Sequence, residues 1–182
     1  MDKKQVDLLI SMKQYSENLN PVGTSFRREL TPEGSYEFYS EGTMYRKDGV
    51  TYLSYMEPDG SGLEHHKTII KIRKDTIHVN RYPEDSRSTM LNLNLEEGKE
   101  YITLYRFPQM TMELGIETMK VEVDLDENGF GRLFADYRCR MGSDTLYRNH
   151  LEVRITPEVR TNRKVSRLAS EEVELPPEAV ER

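Results

Sequence analysis

The 182-residue chain contains one cysteine, three alanines, no tryptophan and no apolar run longer than three residues. One cysteine excludes an internal disulfide. Runs such as Leu8 to Ile10 are too short for a membrane span or for the apolar core of a secretion signal. Because alanine is the strongest helix former, its scarcity argues against a helix bundle or a coiled coil.

Basic residues are also too few to balance the acidic ones. The 26 Lys and Arg against 32 Asp and Glu leave a net charge of −6, which disfavours general binding to nucleic acid, since phosphate recognition needs a basic surface. We therefore expect a bacterial, cytoplasmic protein that does not insert into a membrane and does not bind nucleic acid.

The residue types that favour β-strands are abundant. Val, Ile, Thr, Tyr and Phe together number 48, and apolar and polar residues alternate with period two in segment after segment. Short turn signals separate the segments, among them Asp48-Gly49, which is typical of a type I′ hairpin turn. This spacing predicts roughly nine or ten strands with antiparallel neighbours, because no segment is long enough for a crossover helix.

We predict that residues 1–157 form a single antiparallel up-and-down β-barrel of roughly eight to ten strands. Closure removes the two exposed edges that an open sheet of this size would have. The strands near residues 6–15 and 146–156 should then lie side by side. A flattened two-sheet sandwich is the alternative architecture.

Three segments depart from the simple alternation. Residues 18–34 contain several Asn, Pro and Gly residues and predict a loop or a loosely paired ribbon. The alternation changes phase near Glu117-Thr118, which predicts a β-bulge. Residues 158–182 carry a basic cluster followed by an acidic one and predict a solvated tail, with a short amphipathic helix as the alternative. Such a tail could contact a protein partner.

Motifs for metal binding are incomplete. Residues 124–129 read Asp-Leu-Asp-Glu-Asn-Gly, which matches the start of a calcium loop, but the twelfth position is Ala135 where that loop needs a Glu. We therefore predict a hairpin turn. His65 and His66 are adjacent, so on a strand they point to opposite faces and cannot readily bind one ion. We expect no metal and no cofactor.

Motifs for catalysis are likewise missing. Cys139 is in phase with Leu133 and Tyr137, which predicts a small core residue and not a nucleophile. No G-x-S-x-G, Walker loop or dinucleotide fingerprint occurs. The sequence therefore indicates no catalytic residue.

A few polar and aromatic residues fall on stripes that we assign to the barrel interior. Asn149 lies in the stripe that continues to Leu151 and Val153, so it is either a structural clamp or a polar anchor for a ligand. Tyrosines provide apolar area with one hydroxyl, which suits either a pocket or the end of a barrel. The predicted ligand-binding residues, at one open end, are Tyr52, Ser54, Tyr101, Tyr105 and Asn149.

Several segments resemble the YwiB-type family of small bacterial proteins. The similar segments are Val50 to Tyr55, Lys67 to Ile72, Met112 to Thr118 and the closing pattern from Asn149 to Ile155. Their order and spacing match over about residues 4–156. The resemblance implies a calycin-like β-barrel, the architecture of lipocalins and fatty-acid-binding proteins, in a domain of unknown function. It implies no catalytic residues.

Two functions follow from these expectations. The first is a binding module whose barrel encloses a small apolar or amphipathic ligand without catalysing a reaction. The alternative is a structural or protein-interaction domain whose interior is fully packed. The volume left inside the barrel separates the two.

Overall fold

A computed structural model describes residues 3–61, 63–84, 90–143, 145–157 and 166–168. All regular secondary structure in these ranges is β-strand, and no described segment forms a helix that could cross a membrane. In chain order the strands are β1 (Lys4–Val22), β2 (Ser25–Lys47), β3 (Val50–Met56), β4 (His66–Ile72), β5 (Thr76–Pro83), β6 (Leu91–Glu96), β7 (Glu100–Phe107), β8 (Met110–Leu125), β9 (Gly131–Met141), β10 (Thr145–Thr156) and β11 (Ser166–Leu168).

Ten of these strands form one antiparallel sheet in the order β6-β5-β4-β3-β2-β1-β10-β9-β8-β7. β1 pairs with β10 from Asp7 opposite Thr156 to Ser16 opposite Tyr147, which confirms the predicted neighbours. The sheet curls until its two edge strands, β6 and β7, face each other. The all-β barrel is therefore confirmed, with a narrow seam between these edges.

The seam is bridged at one end by a backbone hydrogen bond and is spanned at the other by the β6–β7 turn. At one end Arg106 N donates to Met90 O over 2.8 Å. At the other, the β6–β7 turn bonds to β8, where Gly98 N donates to Thr118 O. The register of β8 against β9 shifts between Thr118 and Lys120, which confirms the predicted bulge. This bulge brings β8 into contact with the turn and so helps to close the barrel.

One end of the barrel, which we call the closed end, is capped by tight turns and filled with apolar side chains. Asp48 and Gly49 have φ values of 51° and 75°, as a type I′ turn requires. The Asp126 carboxylate accepts hydrogen bonds from the backbone N–H groups of Asn128 and Phe130, which confirms a hairpin turn at the calcium-like motif. The side chains that fill this end are almost fully buried and include Val6, Met44, Leu53, Ile72, Leu95 and Leu133.

Beyond the opposite end of the barrel, β1 and β2 continue as a two-stranded ribbon that we call the arm (residues 15–32). The register shifts after Gln14, and the two strands then pair as far as Val22 opposite Ser25. For residues 18–34 the ribbon alternative is therefore correct and the loop alternative is wrong. The arm bends over the outer face of β8, β9 and β10, where Tyr15 and Leu30 form a small second core.

Only three residues of the predicted tail fall within the described ranges. Ser166 pairs with Glu37 and Leu168 pairs with Ser35, so β11 extends the sheet along β2 with an extended backbone. The rest of residues 158–182, including most of the alternative helix, lies outside the described residues.

Candidate functional site: a cavity at the arm end of the barrel

The interior is open at the end of the barrel next to the arm. A cavity of about 670 Å³ lies there between β1, β2 and strands β5 to β10. This volume is within the range of small-molecule sites. Four branched side chains form much of its apolar wall, namely Leu91, Leu93, Leu114 and Ile116.

The composition of the inward stripes explains why this end is open. Along β2, the inward residues change from Met44 at the closed end to Tyr36 at the arm end. Along β9, they change from Leu133 to Tyr137 and Cys139. On these two strands, aromatic and polar side chains thus take the place of the aliphatic residues found at the closed end. The polar atoms of the site are therefore concentrated around the cavity.

The strongest polar feature of the cavity is a buried ion pair. Arg81 lines the cavity, and its Nε lies 3.6 Å from Oε1 of Glu57. The side chain of Arg81 is 15% exposed and that of Glu57 only 1%. The Thr68 hydroxyl donates to Glu57 Oε1 over 2.6 Å and fixes the carboxylate. Arg81 Nε is buried and makes no hydrogen bond with the described residues.

The charges of this pair shift the ionisation of the surrounding groups. Burial alone would lower the pKa of Arg81, but the Glu57 carboxylate opposes this, and the net pKa is raised. Burial raises the pKa of the Tyr36 hydroxyl, to which the guanidinium also donates a hydrogen bond. Burial likewise raises the pKa of Tyr55 and of Tyr137. At neutral pH the cavity therefore contains a charged guanidinium and neutral phenols.

A pair of amides lies at the rim. Gln14 Nε2 donates to Asn149 Oδ1 over 3.0 Å. Asn149 is buried and lines the cavity, so its predicted inward position is confirmed. The bond from Gln14 gives the Asn149 carbonyl oxygen a structural partner, as the clamp interpretation expects.

Cys139 also lines the cavity, packed against the main core. Burial raises the pKa of its thiol to about 11. The prediction of an interior residue is confirmed, and the thiol is protonated at neutral pH.

The five predicted ligand-binding residues do not form one site in the structure. Tyr105 and Asn149 line the cavity. Tyr101 is on the same face of β7 as Tyr105 but nearer the closed end, and its hydroxyl donates to Glu96 Oε2 over 2.8 Å.

Tyr52 and Ser54 are on the outer face of β3, so the interior position predicted for them is wrong. The inward residues of this strand are Leu53 and Tyr55, which are buried, while Tyr52 stacks on Tyr45 at 4.7 Å. The aromatic Tyr52 had suggested an inward stripe. The two-residue turn was the better signal, because it pairs Met44 with Leu53 and residues directly opposite share a face.

The sequence interpretation missed Arg81, Glu57 and Tyr36 as members of one cluster. A weak signal was present, since Arg81 continues the inward stripe of Ile77 and Val79. A charged residue in such a stripe points to a paired or functional group. The partner Glu57 follows the end of β3 and could not be paired with Arg81 by spacing.

A second concave surface lies outside the barrel, beneath the arm. This groove of about 1000 Å³ is open to solvent and is bordered by Leu19, Val22 and Phe26 of the arm. At its base, Glu17 of the arm bonds to Arg28 at 2.6 Å and to Arg138 at 2.8 Å. Burial raises the pKa of Glu17. The pair with Arg28 lies within the arm, and the pair with Arg138 attaches the arm to β9 of the barrel.

Beside them, Arg148 and Asp136 form a buried bidentate pair at 2.9 and 2.7 Å. Nowhere in the described part of the chain do three or more His, Cys, Asp or Glu side chains group in a way that could bind a metal ion.

The fold and cavity define a small all-β barrel with an open interior. Residues 24–153 match the model of a family described as a domain of unknown function, DUF1934, and the chain belongs to this family. A crystal structure of the YwiB protein from Bacillus subtilis is similar, with 23% identity and a TM-score of 0.52 over 82% of this chain and 92% of that one. This similarity shows the fold alone, and no curated protein matches.

Proposed function

We propose that the barrel binds a small apolar or amphipathic ligand in the cavity at its arm end and performs no chemistry on it. The observation that carries the proposal is the contrast between the two ends of one interior. The closed end is filled by fully buried side chains such as Leu53 and Leu95, whereas about 670 Å³ remains open at the other end. A cavity of this size, mostly apolar with a few convergent polar groups, is typical of a ligand site.

The open volume favours binding over the alternative of a structural domain with a fully packed interior. The absence of chemistry is part of the proposal because the groups in the cavity are poorly suited to it. The Cys139 thiol is protonated at neutral pH, since its pKa is raised to about 11, and the Glu57 carboxylate is already engaged by Thr68 and Arg81. We further propose that the protein is cytoplasmic and that its barrel is calycin-like.

A matched pair of tyrosine variants tests the location of the site. We expect the wild-type protein to bind N-phenyl-1-naphthylamine, an uncharged apolar fluorophore, with saturation at one site. Tyr105→Ala should raise its Kd about fivefold or more, because an aromatic wall of the cavity is lost. Tyr52→Ala removes the same side chain from the outer face and should change Kd less than about twofold. Fluorescence titration measures both.

Two results would contradict the proposal. One is the absence of saturable binding by the folded wild-type protein. The other is an equal effect of both variants, which would show that the fluorophore does not recognise the interior.

A further inference from the structure

We infer that the cavity selects an uncharged ligand whose head group accepts hydrogen bonds, such as an alcohol, ketone, ester or amide, in preference to a carboxylate. The inference rests on the proposed function and specifies its ligand class. The feature that carries it is the ion pair of Arg81 with Glu57 inside the cavity.

Arg81 supplies the donor for such a head group. Its side chain lines the cavity and is 15% exposed, so part of it reaches the open space, whereas Nε is enclosed and faces Glu57. A guanidinium carries five N–H donors in all, and those that Glu57 does not engage need an acceptor, which a ligand oxygen can supply. An ammonium head group offers no acceptor and cannot meet this need.

Glu57 excludes the anionic version of the same ligand. Its carboxylate lies 3.6 Å from Arg81 Nε and is 1% exposed, so the positive charge is already matched inside the protein. A carboxylate that binds Arg81 would add a second buried anion within the range at which like charges repel each other strongly.

The other groups around the cavity add no positive charge. Glu33 lines its rim and is exposed to solvent, so it contributes a further negative charge at the entrance. Tyr36 and Tyr137 are neutral phenols, and Gln14 and Asn149 are neutral amides. A guanidinium that faced a cavity without Glu57 would instead favour carboxylates, since Arg binds them in a bidentate manner.

Three ligands with the same ten-carbon chain test the selectivity. 1-Decanol, decanoate and decylamine are compared at pH 7.5 by displacement of N-phenyl-1-naphthylamine from the wild-type protein. We expect decanol to bind about tenfold or more tightly than decanoate and decylamine. In Glu57→Gln, decanoate should gain about tenfold in affinity, while decanol changes less than about threefold, so the wild-type preference for decanol is largely lost.

A second variant covers the case in which Glu57→Gln does not fold, because removal of one partner of a buried pair is destabilising. The double variant Glu57→Gln/Arg81→Leu removes both charges. In the wild-type protein decanol should also bind more tightly than decane, which has the same chain length and no head group. The double variant should still bind the fluorophore, but decanol should lose this advantage over decane. Circular dichroism checks the fold of each variant.

The outcomes separate the two proposals. Tighter binding of decanoate than of decanol by the wild-type protein would overturn the inference and leave the proposed function standing. If decanol kept its advantage over decane in the folded double variant, the inference would also be overturned, since Arg81 would not be the donor. A wild-type protein that binds no fluorophore would overturn the proposed function, and the inference with it.

Discussion

Replacement of Asp136 by Asn is expected to lower the free energy of unfolding by about 3–5 kcal/mol, because it breaks a buried ion pair from one side. The side chains of Asp136 and Arg148 are 10% and 7% exposed, and two hydrogen bonds join them. An amide cannot balance the charge of the guanidinium, so the strand pair β9–β10 loses a buried, doubly hydrogen-bonded contact. Urea denaturation at pH 7, followed by circular dichroism, measures the loss.

The same pair predicts a dependence of stability on pH. Burial alone would raise the pKa of Asp136, but the two hydrogen bonds from Arg148 and the proximity of His150 outweigh it and lower the pKa from 3.8 to about 2. A carboxyl group with a depressed folded-state pKa contributes stability that is present above its unfolded pKa and is lost as the pH falls through the folded one. The wild-type protein should therefore lose this contribution between about pH 4 and pH 2, and Asp136→Asn should not.

Glu122→Gln is the matched control, since it makes the same chemical change in an exposed pair. Glu122 and its partner Arg132 are 39% and 40% exposed, and surface pairs contribute at most about 1 kcal/mol. Equal losses in the two variants would show that the pair beneath the arm is not buried as described.

Replacement of Gly131 by Ala should be nearly as damaging, at about 3–5 kcal/mol. Gly131 has a φ of 142°, which residues with a side chain rarely adopt. A Cβ atom at this position would also collide with the carbonyl oxygen of Asp124 across the β8–β9 hairpin. Because this is a backbone atom within a ladder, it cannot move aside without opening the closed end. The thermal midpoint and the urea midpoint should both fall.

Gly142→Ala separates the clash from the backbone strain. Gly142 also has a positive φ, of 66°, but apart from its chain neighbours no atom of the described residues lies within 4 Å of the position of its Cβ. Its cost should be only that of the left-handed conformation, about 1–2 kcal/mol. If the two variants were equally stable, the close contact of Gly131 with the Asp124 carbonyl at the closed end would be contradicted.

The barrel could be predicted from the sequence because each strand is specified locally. Alternation with period two fixes which residues share a face, and turns such as Asp48-Gly49 fix the pairing of neighbours. The contact of β1 with β10 then follows from closure. The arm was harder to predict, because its strands expose Leu19 and Phe26 on a ribbon that bends over the barrel wall, and no local pattern encodes that bend.

The site was predicted only in part, for a related reason. Tyr105 and Asn149 lie on strands whose inward face was predicted correctly. The predicted phase of β3 was wrong by one residue, which placed Tyr52 and Ser54 on the inner face although they lie on the outer one. Arg81 is on β5 and Glu57 follows the end of β3, so β4 lies between them, where Thr68 is opposite Arg81 and donates to Glu57. Such a contact depends on the register of three strands and on a residue beyond the end of one of them, which the alternation within a single strand does not specify.

The most direct test of ligand binding inside the barrel uses the chain's only cysteine. Cys139 lines the cavity, so an adduct with N-cyclohexylmaleimide would fill part of it. The reaction is run at about pH 7.5 with a long incubation, because the raised pKa of the thiol slows it and a higher pH would direct the reagent to lysine amines. We predict that the stoichiometric adduct, folded by circular dichroism, no longer binds N-phenyl-1-naphthylamine. Unchanged binding by the folded adduct would contradict the account and would place the ligand elsewhere, as in the groove beneath the arm.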